Sequence, residues 1–208
     1  MNSGHVAAGT IPSIRQRAAR WVPVLVLAAA VLALGFGGDA AREALRYERE
    51  ALQAGEVWRL LTGHLVHLGW GHVVMNLAAL FLIASLIDDA FATADWIGAF
   101  AASALAIDGG LYFFAPEIDW YVGLSGVLHG LVAAGAVALL RSFPLLAWLL
   151  GAGLAVKLAY EQRFGPIPLS VETSGGAVIV AAHLYGAIGG FAFALLRRAV
   201  PARKAASL

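Results

Sequence analysis

Cysteine is absent from the 208-residue chain, and charge is scarce, with Lys, Arg, Asp and Glu together making up 13% of it. The first absence excludes disulfides, thiolate metal sites and a cysteine nucleophile. It leaves any zinc site to His and carboxylates alone. The charge content is about half the ~25% of a soluble domain. The 14 basic and 13 acidic residues nearly cancel, to +1, so no basic field points to nucleic acid. What is there instead is apolar: 61% of the residues, against about 45–50% in a water-soluble domain. One water-facing globule cannot hide so much, and the bilayer is the natural solvent.

Six apolar segments can be read, at about 21–36, 72–87, 96–114, 123–140, 143–159 and 177–196. Several fall short of the ~20 residues of a full span, which suggests helices that start below the surface or a locally thinned bilayer. Lipid-facing backbone must satisfy its own hydrogen bonds, so the segments are helical; the alternating strands of a barrel are not seen. No internal repeat or low-complexity tract interrupts them. The expectation is an all-α polytopic membrane protein, a six-transmembrane-helix bundle in one domain. A tail (residues 1–20) precedes the membrane domain (21–196), and a basic tail (197–208) follows it. Arg15, Arg17 and Arg20 ahead of the first segment also allow a signal-peptide reading, but the run is slightly long and lacks a clean cleavage site.

Lys and Arg set the orientation. An even number of spans puts both ends on one side, and both are basic: Arg15, Arg17 and Arg20 at one, Arg197, Arg198, Arg203 and Lys204 at the other. Both are expected in the cytoplasm. Arg141, between segments four and five, agrees; the link holding Asp88, Asp89 and Asp95 has no Lys or Arg and gives no support. The long first loop, about 37–71, then lies outside and is expected to contain a surface helix.

Segments two, four and six enter from that outer side, and each carries polar residues in its first turns: His72 and Asn76, Ser125 and His129, and His183. At about 1.5 Å per residue, Ser125 and His183 fall within the first ~10 Å of their helices and can share one depth. Polar groups at that depth either mark a functional, wetted site or act as hydrogen-bonding glue between helices. His72 and Asn76 are four apart and face one way. Gly123 and Gly126 flank Ser125 and permit a tight entry. His183, Gly186, Ala187 and Gly190 form one face, a small-residue stripe able to pack closely on another helix. If that helix is segment four, His183 arrives beside Ser125.

Trp58-Arg59, His72-Val73-Val74-Met75-Asn76, Gly123-Leu124-Ser125-Gly126 and the run Ala182-His183-Leu184-Tyr185-Gly186-Ala187-Ile188-Gly189-Gly190 together resemble the rhomboid family of intramembrane serine proteases. The resemblance covers about 55–196. It implies a rhomboid-like six-helix fold in a bacterial inner membrane, with a Ser–His dyad opening toward the periplasm: Ser125 as nucleophile and His183 as general base. His72, Asn76 and the Ser125 backbone N–H become candidate oxyanion donors. His129 stands where many members have Tyr. That feature, Lys157 with Glu161, and the Ala182-His183-Leu184 start look like the rhombosortase subgroup. Its association is with proteins ending in a Gly-Gly-containing C-terminal sorting helix, so the implied partner is such a transmembrane substrate, alongside membrane lipid.

With no acidic residue near His183 in segment six, a dyad rather than a triad is expected, with His183 oriented by packing or another polar group. His129 is read first as a packing or hydrogen-bonding residue. Lys157 and Glu161, four apart, suit a snorkelling ion pair or recognition of a substrate tail. Trp58 and Arg59 suit interface anchoring. His64, His67 and His72 lack a helical metal-site spacing, so neither metal nor other cofactor is expected. Segment five and the link 165–176 suit either a lateral gate and cap or an ordinary loop. Two further readings stay open: an inactive rhomboid-like protein that binds membrane helices, and a transporter.

Overall fold

A computed structural model describes residues 14–168 and 170–199. Residues 1–13 and 200–208, most of both expected tails and with them Arg203 and Lys204, lie outside the described residues. Six helices make the bundle: α1 (Ile14–Phe36), α5 (Trp70–Ile87), α6 (Thr93–Phe114), α7 (Ser125–Leu139), α8 (Pro144–Phe164) and α10 (Val180–Ala199). Between α1 and α5 lie α2 (Gly38–Leu45), strand β1 (Tyr47–Glu48), α3 (Arg49–Gln53) and α4 (Arg59–Thr62). Strand β2 (Trp120–Tyr121) precedes α7, and α9 (Ser170–Ser174) precedes α10. The fold is all-α and polytopic. Five of the bundle helices are long and apolar enough to cross a membrane, and α7 is a shorter apolar helix. Its 15 residues reach only about 22 Å, less than a ~30 Å hydrocarbon core.

α7 is the pillar of the bundle, with α5, α6, α8 and α10 packed around it. Its closest neighbour is α10, and glycine sets that distance. A methyl on Gly186 would overlap the Gly126 carbonyl oxygen, and one on Gly190 would overlap that of Gly130. On the facing side, a methyl on Gly126 would lie 2.8 Å from the Ala182 oxygen. Small residues at a seam are how helices gain van der Waals contact where lipid supplies no hydrophobic drive.

Arginines between the first two bundle helices are structural. The first loop holds three short helices and a strand, α2 being a surface helix with no buried residues. Tyr47–Glu48 pairs antiparallel with Trp120–Tyr121, which carries the loop to the start of α7. Arg49 donates to the carbonyls of Tyr112 (2.9 Å), Leu111 (2.7 Å) and Ala115 (3.0 Å), satisfying the exposed C-terminal carbonyls of α6. Arg59 is buried rather than an interface anchor, bonded to Glu56 at 2.6 Å and to the Glu43 and Arg46 carbonyls. Trp58 beside it is half exposed.

At the opposite end, Arg20 reaches Asp89 (3.7 Å) and the Asp88 carbonyl (3.3 Å), and Arg197 pairs with Asp95. The acidic link between α5 and α6 therefore meets the basic ends of α1 and α10.

Candidate active site

The turn that leads into Ser125 is built by backbone constraints that sequence makes visible only at Gly123. That residue has φ +116, the left-handed region where a side chain is strained. A methyl there would also come within 2.7 Å of the His72 ring. The Gly123 N–H donates to the Gly63 carbonyl at 3.0 Å, and its own carbonyl accepts from Tyr121 Oη at 2.6 Å. Burial raises the Tyr121 phenol above its usual range, so it stays a neutral donor. The next N–H, of Leu124, donates to His67 Nε2 at 3.4 Å, while His67 Nδ1–H donates to the Leu65 carbonyl at 3.2 Å. Burial, with His72 adding to it, pushes His67 down to about 3. A neutral imidazole with one donor and one acceptor nitrogen is what this pair of contacts requires.

Ser125 opens α7 immediately after that turn. Its Oγ lies 3.0 Å from His183 Nε2, and His183 enters from the first turn of α10, buried. The other imidazole nitrogen, Nδ1, lies 2.8 Å from Glu161 Oε2. Glu161 Oε1 accepts from Lys157 Nζ at 2.5 Å. The result is a continuous chain, Ser125–His183–Glu161–Lys157, running from α7 through α10 to α8.

His129 lies one turn into α7. Its Nδ1–H donates to the Ser125 carbonyl at 2.7 Å, and its ring stacks on His183 at 4.1 Å with planes 11° apart. It touches the imidazole face and not the hydroxyl. His72 and Asn76 are buried on α5, with Asn76 Nδ2 donating to the His72 carbonyl at 3.0 Å. Both line, with Ser125, His129, Glu161 and His183, a cavity of about 570 Å³ between α5, α7 and α8. Its lower wall is apolar, including Leu149, Leu150 and Val132, and Ser170 and Ser174 of α9 line it from the 165–176 link. Gly126, Gly186 and Gly190 lie on the α7–α10 seam behind the hydroxyl and imidazole, where they fix the approach of the two helices.

Among the described residues one group of three His or acidic side chains could hold a metal: His129, Glu161 and His183. The two imidazoles are stacked nearly parallel, so their in-plane lone pairs do not converge. Both His183 nitrogens and His129 Nδ1 already have partners. This geometry suits proton transfer better than metal ligation. His64, His67 and His72 do not form such a group among the described residues; His64 instead faces Asp108 at 3.3 Å.

A hydroxyl on one helix meets an imidazole on another in a half-open cavity, an arrangement able to support acyl transfer. The Rhomboid domain family model matches residues 54–199. This chain belongs to the rhomboid family. It is similar to the rhomboid protease GluP of Bacillus subtilis (strain 168), 25% identical over 144 residues, which are 69% of this chain and 27% of that protein. It is also similar to YdcA of the same organism, provisionally named a rhomboid protease, 28% identical over 142 residues, 68% of each chain. The chain thus spans little more than a quarter of GluP.

In this rhomboid the expected dyad needs one correction: His183 has a carboxylate at Nδ1. Segment six carries no acid near His183, and Glu161 comes from segment five. The sequence holds a signal for it: segment five ends on the side where segments two, four and six begin, so its last turns share their depth. Two structural roles are not legible in the sequence, where His64 and His67 are weighed only as metal ligands: His67 holds the turn before Ser125, and His64 is buried against Asp108 with its ring on Tyr121 at 5.6 Å. Both histidines stand in loop geometry that periodicity does not report, and Asp108 reaches His64 from α6.

Proposed function

We propose that this rhomboid is an intramembrane serine endopeptidase with Ser125 as nucleophile and His183 as general base. The observation that carries the reading is the 3.0 Å contact between Ser125 Oγ and His183 Nε2 at the head of a cavity. Ser125 Oγ attacks the scissile carbonyl as its proton passes to Nε2; the imidazolium then protonates the leaving amine as the C–N bond breaks. Water deacylates the ester by the same steps. The first-turn N–H of α7 has no intrahelical acceptor by virtue of its position, and with His72 and Asn76 it supplies donors for the oxyanion.

The substrate is a transmembrane protein, and we place the enzyme in the rhombosortase-like subgroup, acting on a C-terminal Gly-Gly-containing sorting helix. The apolar lower cavity suits a membrane segment. A helical substrate must unwind to expose its carbonyl, and each Gly disfavours helix by about 1 kcal/mol relative to Ala. The basic ends at Arg20 and Arg197, opposite the cavity, support a reading with both ends in the cytoplasm and the site toward the periplasm of an inner membrane.

The test is coexpression with a Gly-Gly-tailed exported protein and mass spectrometry of its new C-terminus. Wild type trims the tail and Ser125→Ala abolishes trimming. Equal trimming by purified Ser125→Ala defeats the assignment. Failure of wild type to react with a serine-directed fluorophosphonate favours a protein that only binds membrane helices.

A further inference from the structure

Glu161 is 2% exposed, whereas its partner Lys157 keeps 33% of its side chain exposed. A snorkelling ion pair would carry both charges to the interface. Here only the lysine keeps a partly exposed side chain, at the cavity, and the carboxylate is buried. Burying a carboxylate is costly unless its oxygens are matched by strong donors, and this one divides its two oxygens between two of them. Oε2 faces His183 Nδ1 at 2.8 Å and Oε1 faces Lys157 Nζ at 2.5 Å. Across the 21 residues of α8, the buried side chains are Ala147 and Glu161. The one buried polar group of an otherwise peripheral helix is aimed at the far nitrogen of the proposed base.

We propose that Glu161 is a positioning residue of the site, the third member of a Ser125–His183–Glu161 relay, with Lys157 fixing the carboxylate's rotamer. This rests on the Ser–His reading above. Glu161 accepts the Nδ1–H of His183, which leaves Nε2 unprotonated and facing Ser125 Oγ. When Oγ bonds to the scissile carbon, its proton moves to Nε2 and the carbonyl electron pair moves to oxygen. Nδ1 keeps its own proton throughout, and the carboxylate offsets the imidazolium charge. On departure of the amine, the Nε2 proton leaves with it and the relay resets. Because Glu161 stands on α8, the base is correctly aligned only while the outer end of α8 is docked. Gln162 adds a second tie there, donating to the Val180 carbonyl at 3.1 Å.

The experiment uses the full chain in lipid bicelles. Labelling rates with a fluorophosphonate are measured for wild type, Ser125→Ala, His183→Ala, Glu161→Gln and Glu161→Asp, and thermal unfolding is followed for each. Glu161→Gln is expected to slow labelling by about 10³–10⁴-fold, with Glu161→Asp recovering at least about tenfold of the loss. Nitrogen-15 spectra of histidine-labelled wild type, assigned by loss of the signal in His183→Ala, are expected to show His183 protonated at Nδ1. Labelling of folded Glu161→Gln within threefold of wild type overturns the proposal. If Glu161→Gln does not fold, the wild-type spectrum decides: protonation at Nε2 with bare Nδ1 overturns it, and the Nδ1–H form supports it. A wild type that never labels sinks the Ser–His reading instead, and the tautomer still reports on Glu161 separately.

Discussion

The helices α7 and α8 follow one another in the chain and are both apolar, yet the fold uses them in opposite ways. In α7, 11 of 15 residues are buried, and the bundle packs around it. In α8, two of 21 are buried, and side chains such as Leu145, Trp148 and Val156 face outward. Hydropathy alone does not separate these roles. Residue size does: α7 reads Gly126, Gly130, Ala133, Ala134, Gly135 and Ala136 where helices press together, while α8 carries bulk on its lipid face. Ser125 sits on the buried helix. Glu161, which reaches the far nitrogen of His183, sits on the peripheral one. The two nitrogen contacts of the His183 imidazole are thereby supplied by helices of opposite burial.

The sharpest way to break this contrast is to thicken the pillar. A methyl at Gly130 would already collide with Ser103 Oγ and the Gly186 carbonyl. Gly130→Val is therefore expected to cost about 3 kcal/mol or more, since overpacked backbone cannot move aside as a flexible side chain can. Unfolding in mixed SDS micelles measures it. A loss below about 1 kcal/mol would mean that α10 can back away, and that α7 is not the rigid member of the pair.

The extent to which sequence revealed this arrangement differs along the same line. Helix positions followed from apolar runs, and all six segments lie on bundle helices to within a few residues. Two ends differ: α1 begins at Ile14, ahead of the expected start at 21, and α8 continues to Phe164, past the expected end near 159, with Glu161 buried there against His183 and Lys157. Polar residues there looked like the end of a span. Counting depth along the helices puts Ser125 and His183 at one level, and the structure brings them into contact with His72 and Asn76 lining the same cavity. The first loop was illegible for a different reason. Tyr47–Glu48 pairs with a segment about seventy residues away, and Arg49 caps a helix just as distant; no local pattern encodes such contacts.

A middle-sized effect tests the third wall of the cavity, α5. Asn76 lines the site but is tied to its own helix through the His72 carbonyl, so its removal leaves packing largely intact. Asn76→Ala is expected to lower turnover by about 10²–10³-fold, the cost of one oxyanion donor, while the midpoint of unfolding hardly moves. Steady-state cleavage and thermal unfolding, run side by side, check this. A large drop in stability with little change in rate per folded molecule would make Asn76 a helix-packing residue like those of α7.

The smallest expected effect lies on the outer face of α8. Val156 is 70% exposed and one residue before Lys157, so it reports on the same helix without touching the site. Val156→Ala is expected to change unfolding free energy by no more than about 0.5 kcal/mol, as for other surface positions, and cleavage by less than about twofold, which corresponds to ~0.4 kcal/mol. Loss of a branched side chain against lipid removes little, because acyl chains fill the space as readily as they filled it before. An effect as large as that of a core truncation, about 2 kcal/mol or more, would show that the face is covered by protein in the membrane. The helix would then resemble α7 after all, with its packing partner supplied by another molecule.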